Sequence, residues 1–135
     1  MADNNDVSLA ASTAGTLLER MGITLESVTA ERAEGTMPVA GNTQPYGLLH
    51  GGASAVLAET LGSYAAVARA APDGIAVGVE LNITHHRSVR EGAVRGVATA
   101  LHLGRSIATY SITISDDQDQ LVATARLTCM LKTSR

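Results

Sequence analysis

The chain has 135 residues, a formal net charge of −3 and no long run of either sign. That length suits one domain with a sizeable core, and that charge argues against nucleic acid as a main partner. Phe and Trp are absent and Tyr occurs 3 times, so bases have little to stack on. The core must be built from Ala, Val, Leu and Ile, with close backbone packing where Gly and Ala face each other.

Residues 1–11 are polar and read as a flexible N-terminus ahead of one domain over 12–135. They lack the basic start and apolar stretch of a signal peptide, and no apolar run is long enough to span a membrane. A soluble, cytoplasmic protein is the expectation. Ser12 or Thr13 is placed to cap a short helix through Met21, which Gly22 ends. Ile23 to Glu31 and Gly35 to Val39 read as two weaker strands. Residues 40–49 are turn-rich. A long helix is predicted from about His50 to Ala71, stopped by Pro72-Asp73-Gly74. Four strands follow. Val77, Val79, Leu81 and Ile83 alternate with polar residues and glycine. Val94 to Leu101 alternates less cleanly, and His102 reads as a turn residue. Ala108, Tyr110, Ile112 and Ile114 alternate with hydroxyl residues. Asp116 to Gln120 is a hairpin turn, after which Leu121, Ala123, Ala125, Leu127, Cys129 and Leu131 share a face. Short turns imply antiparallel pairing. The predicted class is α+β: one long central helix wrapped by a curved antiparallel sheet.

Glu59 is the only charged side chain between Gly51 and Val67. Its helical neighbours are Ala55, Val56, Gly62 and Ser63, a small and nearly apolar face. A carboxylate with such neighbours is either functional or turned to solvent. The helix begins His50-Gly51-Gly52, where backbone N–H groups lack internal partners and glycine admits a ligand. Gly51 can therefore donate to a carbonyl oxygen that becomes an oxyanion; the alternative is that both glycines only permit tight packing. Gly51 and Glu59 are eight residues apart in sequence, about 12 Å along a helix. One carbonyl cannot touch both within a chain, so a shared site requires two antiparallel helices from a two-fold dimer. Cys129, the single cysteine, alternates with apolar residues and reads as a buried thiol. The histidines lack zinc-motif spacing, and no nucleotide loop or serine elbow occurs.

QPYGLLHGGASAVLAETLGS over 44–63, NITHHRSVREGAVRG over 82–96 and LHLGRS over 101–106 resemble the hotdog-fold acyl-CoA thioesterases. The branch resembled has a catalytic carboxylate on the central helix. It includes 4-hydroxybenzoyl-CoA thioesterases, phenylacetate-pathway thioesterases and 1,4-dihydroxy-2-naphthoyl-CoA hydrolases. The resemblance covers roughly residues 20–131 and implies hydrolysis of a coenzyme A thioester, with an aromatic acyl group, no metal and no cofactor beyond the coenzyme A of the substrate. It implies that Glu59 attacks the thioester carbon or activates water toward it. Gly51 would polarise the carbonyl, Gln44 orient the thioester, His50 sit near the leaving sulfur and Ser63 position the water. His85, His86, Arg87 and Ser88 would line the coenzyme A path, with Gly78 near the acyl or pantetheine end. Leu103, Gly104, Arg105 and Ser106 would continue that path. A homodimer with shared active sites, pairing into a tetramer, is implied as well. The alternatives are a non-catalytic acyl-CoA-binding or sensing module on the same fold, and a hydratase. Binding alone needs no carboxylate beside the carbonyl, and a hydratase would offer an Asp/His pair that this helix lacks.

Overall fold

The computed structural model describes residues 13–133; the segment expected to be flexible lies outside them. Helix α1 spans Leu17–Met21 and ends at Gly22, whose φ of 74° is the left-handed cap that glycine adopts without strain. The predicted start at Thr13 falls a turn too early, and Ser12 is outside the described residues. Thr16 occupies the cap position, but its hydroxyl donates back to the Thr13 carbonyl at 2.6 Å and caps nothing. Strands β1 (Thr24–Val28) and β2 (Arg32–Pro38) follow. The turn between them comes earlier than expected, because Thr29 Oγ1 accepts from the Arg32 N–H at 3.0 Å and donates to the Arg32 carbonyl at 3.1 Å.

The long helix α2 spans Gly51–Ala70, and Pro72-Asp73 turns the chain into β3 (Gly74–His85). Strands β4 (Ala93–Leu103), β5 (Ile107–Ser115) and β6 (Leu121–Thr133) complete one antiparallel sheet in the order β1-β2-β4-β5-β6-β3. The helix lies on this sheet and touches every strand. This is the hotdog arrangement. Among the described residues no helix is long and apolar enough to cross a membrane.

With no Phe or Trp, the core is shallow and the helix sits close. Leu57, Ala58, Leu61, Ala65 and Ala66 of α2 are fully buried against Ile112, Ile114 and Leu127. Gly35 and Gly96 lie opposite each other in β2 and β4, and Leu61 straddles the pair. A Cβ on Gly96 would stand 2.5 Å from one Leu61 methyl, and one on Gly35 3.1 Å from the other. Tyr110 is the large residue in this core; its hydroxyl donates to the Ala30 carbonyl at 2.7 Å, and burial pushes its pKa up to about 12.

Three register shifts change the expected faces. The β3–β6 ladder slips between Gly78 and Glu80, so Val79 is an extra residue and Val77, Val79, Leu81 and Ile83 do not share a face. Leu81 and Ile83 are half-buried, whereas Val77 and Val79 are exposed. A second slip, between Ala100 and His102, makes Leu101 the extra residue. His102 is consequently a strand residue paired with Thr109, not part of the turn. A third, between Ile114 and Ser115, buries Val122 and leaves Leu121 exposed at the strand start. In each case one residue is inserted and the alternation restarts.

The Gly35–Gly96 seat gives a direct test. A Cβ on Gly35 would also stand 2.6 Å from the Thr24 carbonyl oxygen, a backbone atom that cannot step aside. Gly35→Ala is expected to lower unfolding stability by about 1–3 kcal/mol, the usual cost of overpacking a filled interior. Denaturant unfolding measures this; an unchanged midpoint would show that the helix is not seated on the glycine pair.

Candidate active site

Halfway along α2 the Glu59 side chain is exposed and makes no hydrogen bond or ion pair among the described residues. Its carboxylate lies against the bare backbone of Gly78, where a Cβ would stand 2.6 Å from Oε2. It faces an open hollow of about 290 Å³ walled by Leu17, Leu18, Val56, Thr60, Ser63 and Tyr64. Those walls are mostly apolar, so the hydrogen bonds of the carboxylate go to water or a ligand.

Cys129 lies beneath, opposite Gly78 in the β3–β6 ladder. Burial pushes its thiol pKa up; the Glu59 carboxylate adds to the rise and a hydrogen bond from Ser63 opposes it. The thiol is therefore held neutral, as its place in an apolar alternation implied, and is no nucleophile.

The start of α2 forms a second hollow, of about 310 Å³, whose walls include Gln44, Gly51, Ser54, His85, Arg87 and Ser88. His86 also borders it, and its ring Nε2 is 2.9 Å from Thr124 Oγ1. His50 caps the helix: its Nδ1 accepts from the Gly52 N–H at 2.8 Å. An accepting Nδ1 carries no proton, so the neutral ring presents Nε2–H outward. Gly51 is covered by the His85 ring, which a Cβ would meet at 2.8 Å. Gln44 Oε1 accepts from the Tyr46 N–H at 2.6 Å, so its amide nitrogen is the end free to donate. Arg87 is exposed and has no ion pair among the described residues.

The remaining predicted residues lie elsewhere. Leu103 ends β4 and Gly104 to Ser106 form the β4–β5 turn, at the opposite end of α2. Arg69, in the last helical turn, donates to the Leu103 carbonyl at 3.0 Å and the Gly104 carbonyl at 3.2 Å. Arg69 is eighteen residues beyond Gly51, about 27 Å along the axis. One chain therefore does not bring the predicted residues together. Gln44, His50, Gly51 and His85 to Ser88 gather at the helix start. Glu59, Ser63 and Gly78 gather at its middle, and the Leu103–Ser106 turn stands at its end.

Sequence reasoning missed Ser54, a buried hydroxyl in the helix-start hollow, and Leu17 and Leu18, which wall the Glu59 hollow. Ser54 was visible as a polar residue one turn beyond Gly51. The two leucines carried no signal, since apolar residues on a short helix read only as packing.

Residues 46–123 match the family described as the Thioesterase superfamily. The proofreading thioesterase EntH of Cronobacter turicensis is 47% identical over 121 residues, spanning 89% of this chain and 88% of that protein. A mutant thioesterase from Pseudomonas aeruginosa superposes with a TM-score of 0.89 at 38% identity, over 95% of this chain and 94% of that one. A thioesterase from Haemophilus influenzae does so with a TM-score of 0.88 at 33% identity, over 98% and 91%. With these matches along nearly its whole length, the chain belongs to the thioesterase superfamily and is a hotdog-fold enzyme that hydrolyses thioesters.

Proposed function

We propose that this enzyme hydrolyses a coenzyme A thioester of an aromatic acid, in the cytoplasm, to the free acid and coenzyme A. It does so as a homodimer with shared active sites, two dimers pairing into a tetramer. The observation that carries the reading is the Glu59 carboxylate, unpaired, against bare Gly78 and facing an apolar hollow. A thioester is activated enough to need only such a carboxylate and an oxyanion donor. The apolar walls beside Glu59 suit a flat ring. Relatives named as proofreading thioesterases support the reaction type.

The sharing follows from the split described above. Among the described residues strand β3 ends the sheet and pairs only with β6, and it exposes Ile75, Val77 and Val79. An apolar edge of this length pairs with another strand. Antiparallel pairing of two such edges would run the two helices antiparallel and bring the partner subunit's Gly51 to Glu59. It would likewise bring the Leu103–Ser106 turn toward the partner subunit's Arg87, making one coenzyme A path from two separated halves.

In this arrangement Glu59 takes a proton from water as the water oxygen bonds to the thioester carbon. The carbonyl electrons move onto oxygen, where the partner subunit's Gly51 N–H stabilises them. Ser63 accepts the second water proton in a hydrogen bond, and the partner subunit's Gln44 orients the thioester. The C–S bond then breaks. The leaving thiolate receives the proton from Glu59, with the partner subunit's His50 beside it.

Glu59→Gln keeps the side-chain shape and removes the charge. A loss of kcat of about a hundredfold or more is expected on the best aryl-CoA substrate, with unfolding unchanged. Near-normal turnover would eliminate the mechanism. The rim is tested separately. Arg87→Ala should raise KM more than it lowers kcat, and added salt should narrow its gap to wild type, because the guanidinium acts through phosphate charge. A KM for full acyl-CoA that does not move would misplace the nucleotide.

A further inference from the structure

Ser54 stands one turn beyond Gly51 on α2, and only 2% of the residue is exposed. Helical serines commonly return their hydroxyl to the carbonyl four residues back. Here that carbonyl is on His50, and it accepts instead from the Ala53 and Ser54 N–H groups at 2.9 and 3.3 Å. The Ser54 hydroxyl has no hydrogen-bond partner among the described residues. It is nonetheless not among sealed, unsatisfied buried atoms, of which the described residues hold none. Its sliver of exposure opens into the hollow that Gly51, Gln44 and His85 also line. With no protein partner among the described residues, that hydroxyl is free to donate to an acceptor that enters the hollow.

Helix geometry says where that something binds. Side chains on a helix lean toward its N-terminus, so Ser54 covers the turn that begins at Gly51. In a capping box a long side chain reaches back three residues and meets a free N–H directly. Serine is too short for that reach. Gly51 and Ser54 both line the hollow, so an acceptor seated there can take a hydrogen bond from each. We propose that the Ser54 hydroxyl is a second hydrogen-bond donor to the thioester carbonyl oxygen, acting beside the Gly51 N–H as charge develops there. Ser54 is then a catalytic residue rather than a packing one. This rests on the acyl-CoA hydrolase reading above. The hydroxyl donates through one proton and needs no change in its own charge, so its contribution is the same across the pH range in which the enzyme is folded.

Ser54→Ala removes the donor and retains the helix, alanine being the strongest helix former. The expected result is a fall in kcat of about a hundred- to a thousandfold, the range for loss of one oxyanion donor. Thermal unfolding should be unchanged or shifted upward, because no protein partner is lost. A ketone analogue with CH₂ in place of the thioester sulfur isolates the contact. By calorimetry Ser54→Ala should bind it about two- to tenfold more weakly than wild type, the value of one hydrogen bond, while binding coenzyme A itself equally well. An unimpaired kcat, a fall in stability that parallels the fall in activity, or equal losses for the ketone and for coenzyme A would each overturn the assignment. If wild type turns over an acyl-CoA and Ser54→Ala does so equally, this inference alone fails. If wild type hydrolyses no acyl-CoA, the substrate reading fails and takes this inference with it.

Discussion

The close seat of the central helix on the sheet is the constraint from which the site follows. A chain without Phe or Trp cannot fill a thick interior, so its stability has to come from small residues in contact. Leu61 straddles the Gly35–Gly96 pair, and Gly62 leaves room for Leu127, whose methyl would stand 2.6 Å from an added Cβ. That approach carries Glu59 down until its carboxylate rests on the backbone of Gly78. It also fixes the start of the helix beneath His85 and its end, through Arg69, against the Leu103–Ser106 turn. The positions of all three groups of site residues are therefore set by one packing interface.

Much of this was legible in the residues. A twenty-residue helix between turn-forming segments is hard to mistake, and its bounds agree with expectation to within a residue. The lone carboxylate stood out because nothing on its face was charged, and it is without a partner among the described residues. Cys129 was placed as a buried thiol by its alternation, and it is fully buried. The bulges were not legible. Inserting Val79 or Leu101 adds one residue to a strand while leaving apolar residues at plausible spacing, so the alternation looks continuous. Only the partner strand reveals the slip, and partner identity is a long-range fact. His102 was misassigned for that reason. The early turn at Thr29 depended on a single threonine side chain bonding both backbone groups of Arg32, a local choice that competes with continuing the strand.

The distribution of site residues is as informative as their identity. The helix-start hollow supplies donors: the Gly51 N–H, the Gln44 amide, the Ser54 hydroxyl and the cationic Arg87. The mid-helix hollow supplies the carboxylate and an apolar wall. In the proposed mechanism, oxyanion stabilisation and attack are thus separated by about 12 Å along the helix axis, and neither half would carry out thioester hydrolysis alone. In the proposed dimer, two copies related by a two-fold axis would unite them twice over. The exposed apolar edge strand β3, costly in a lone chain, is the element placed to make that pairing. The family's reaction and the unpaired edge then have one explanation.

That union is best tested by subunit mixing. Glu59→Gln and Gly51→Val, the latter adding bulk where His85 already leaves no space, should each be nearly inactive alone. In a mixed dimer one site collects both substitutions and the other collects neither. Equal mixing with verified exchange should restore roughly a quarter of wild-type activity, as random pairing of a symmetric dimer requires. No recovery in verified mixed dimers would mean that each site is built within one chain, contrary to the shared arrangement.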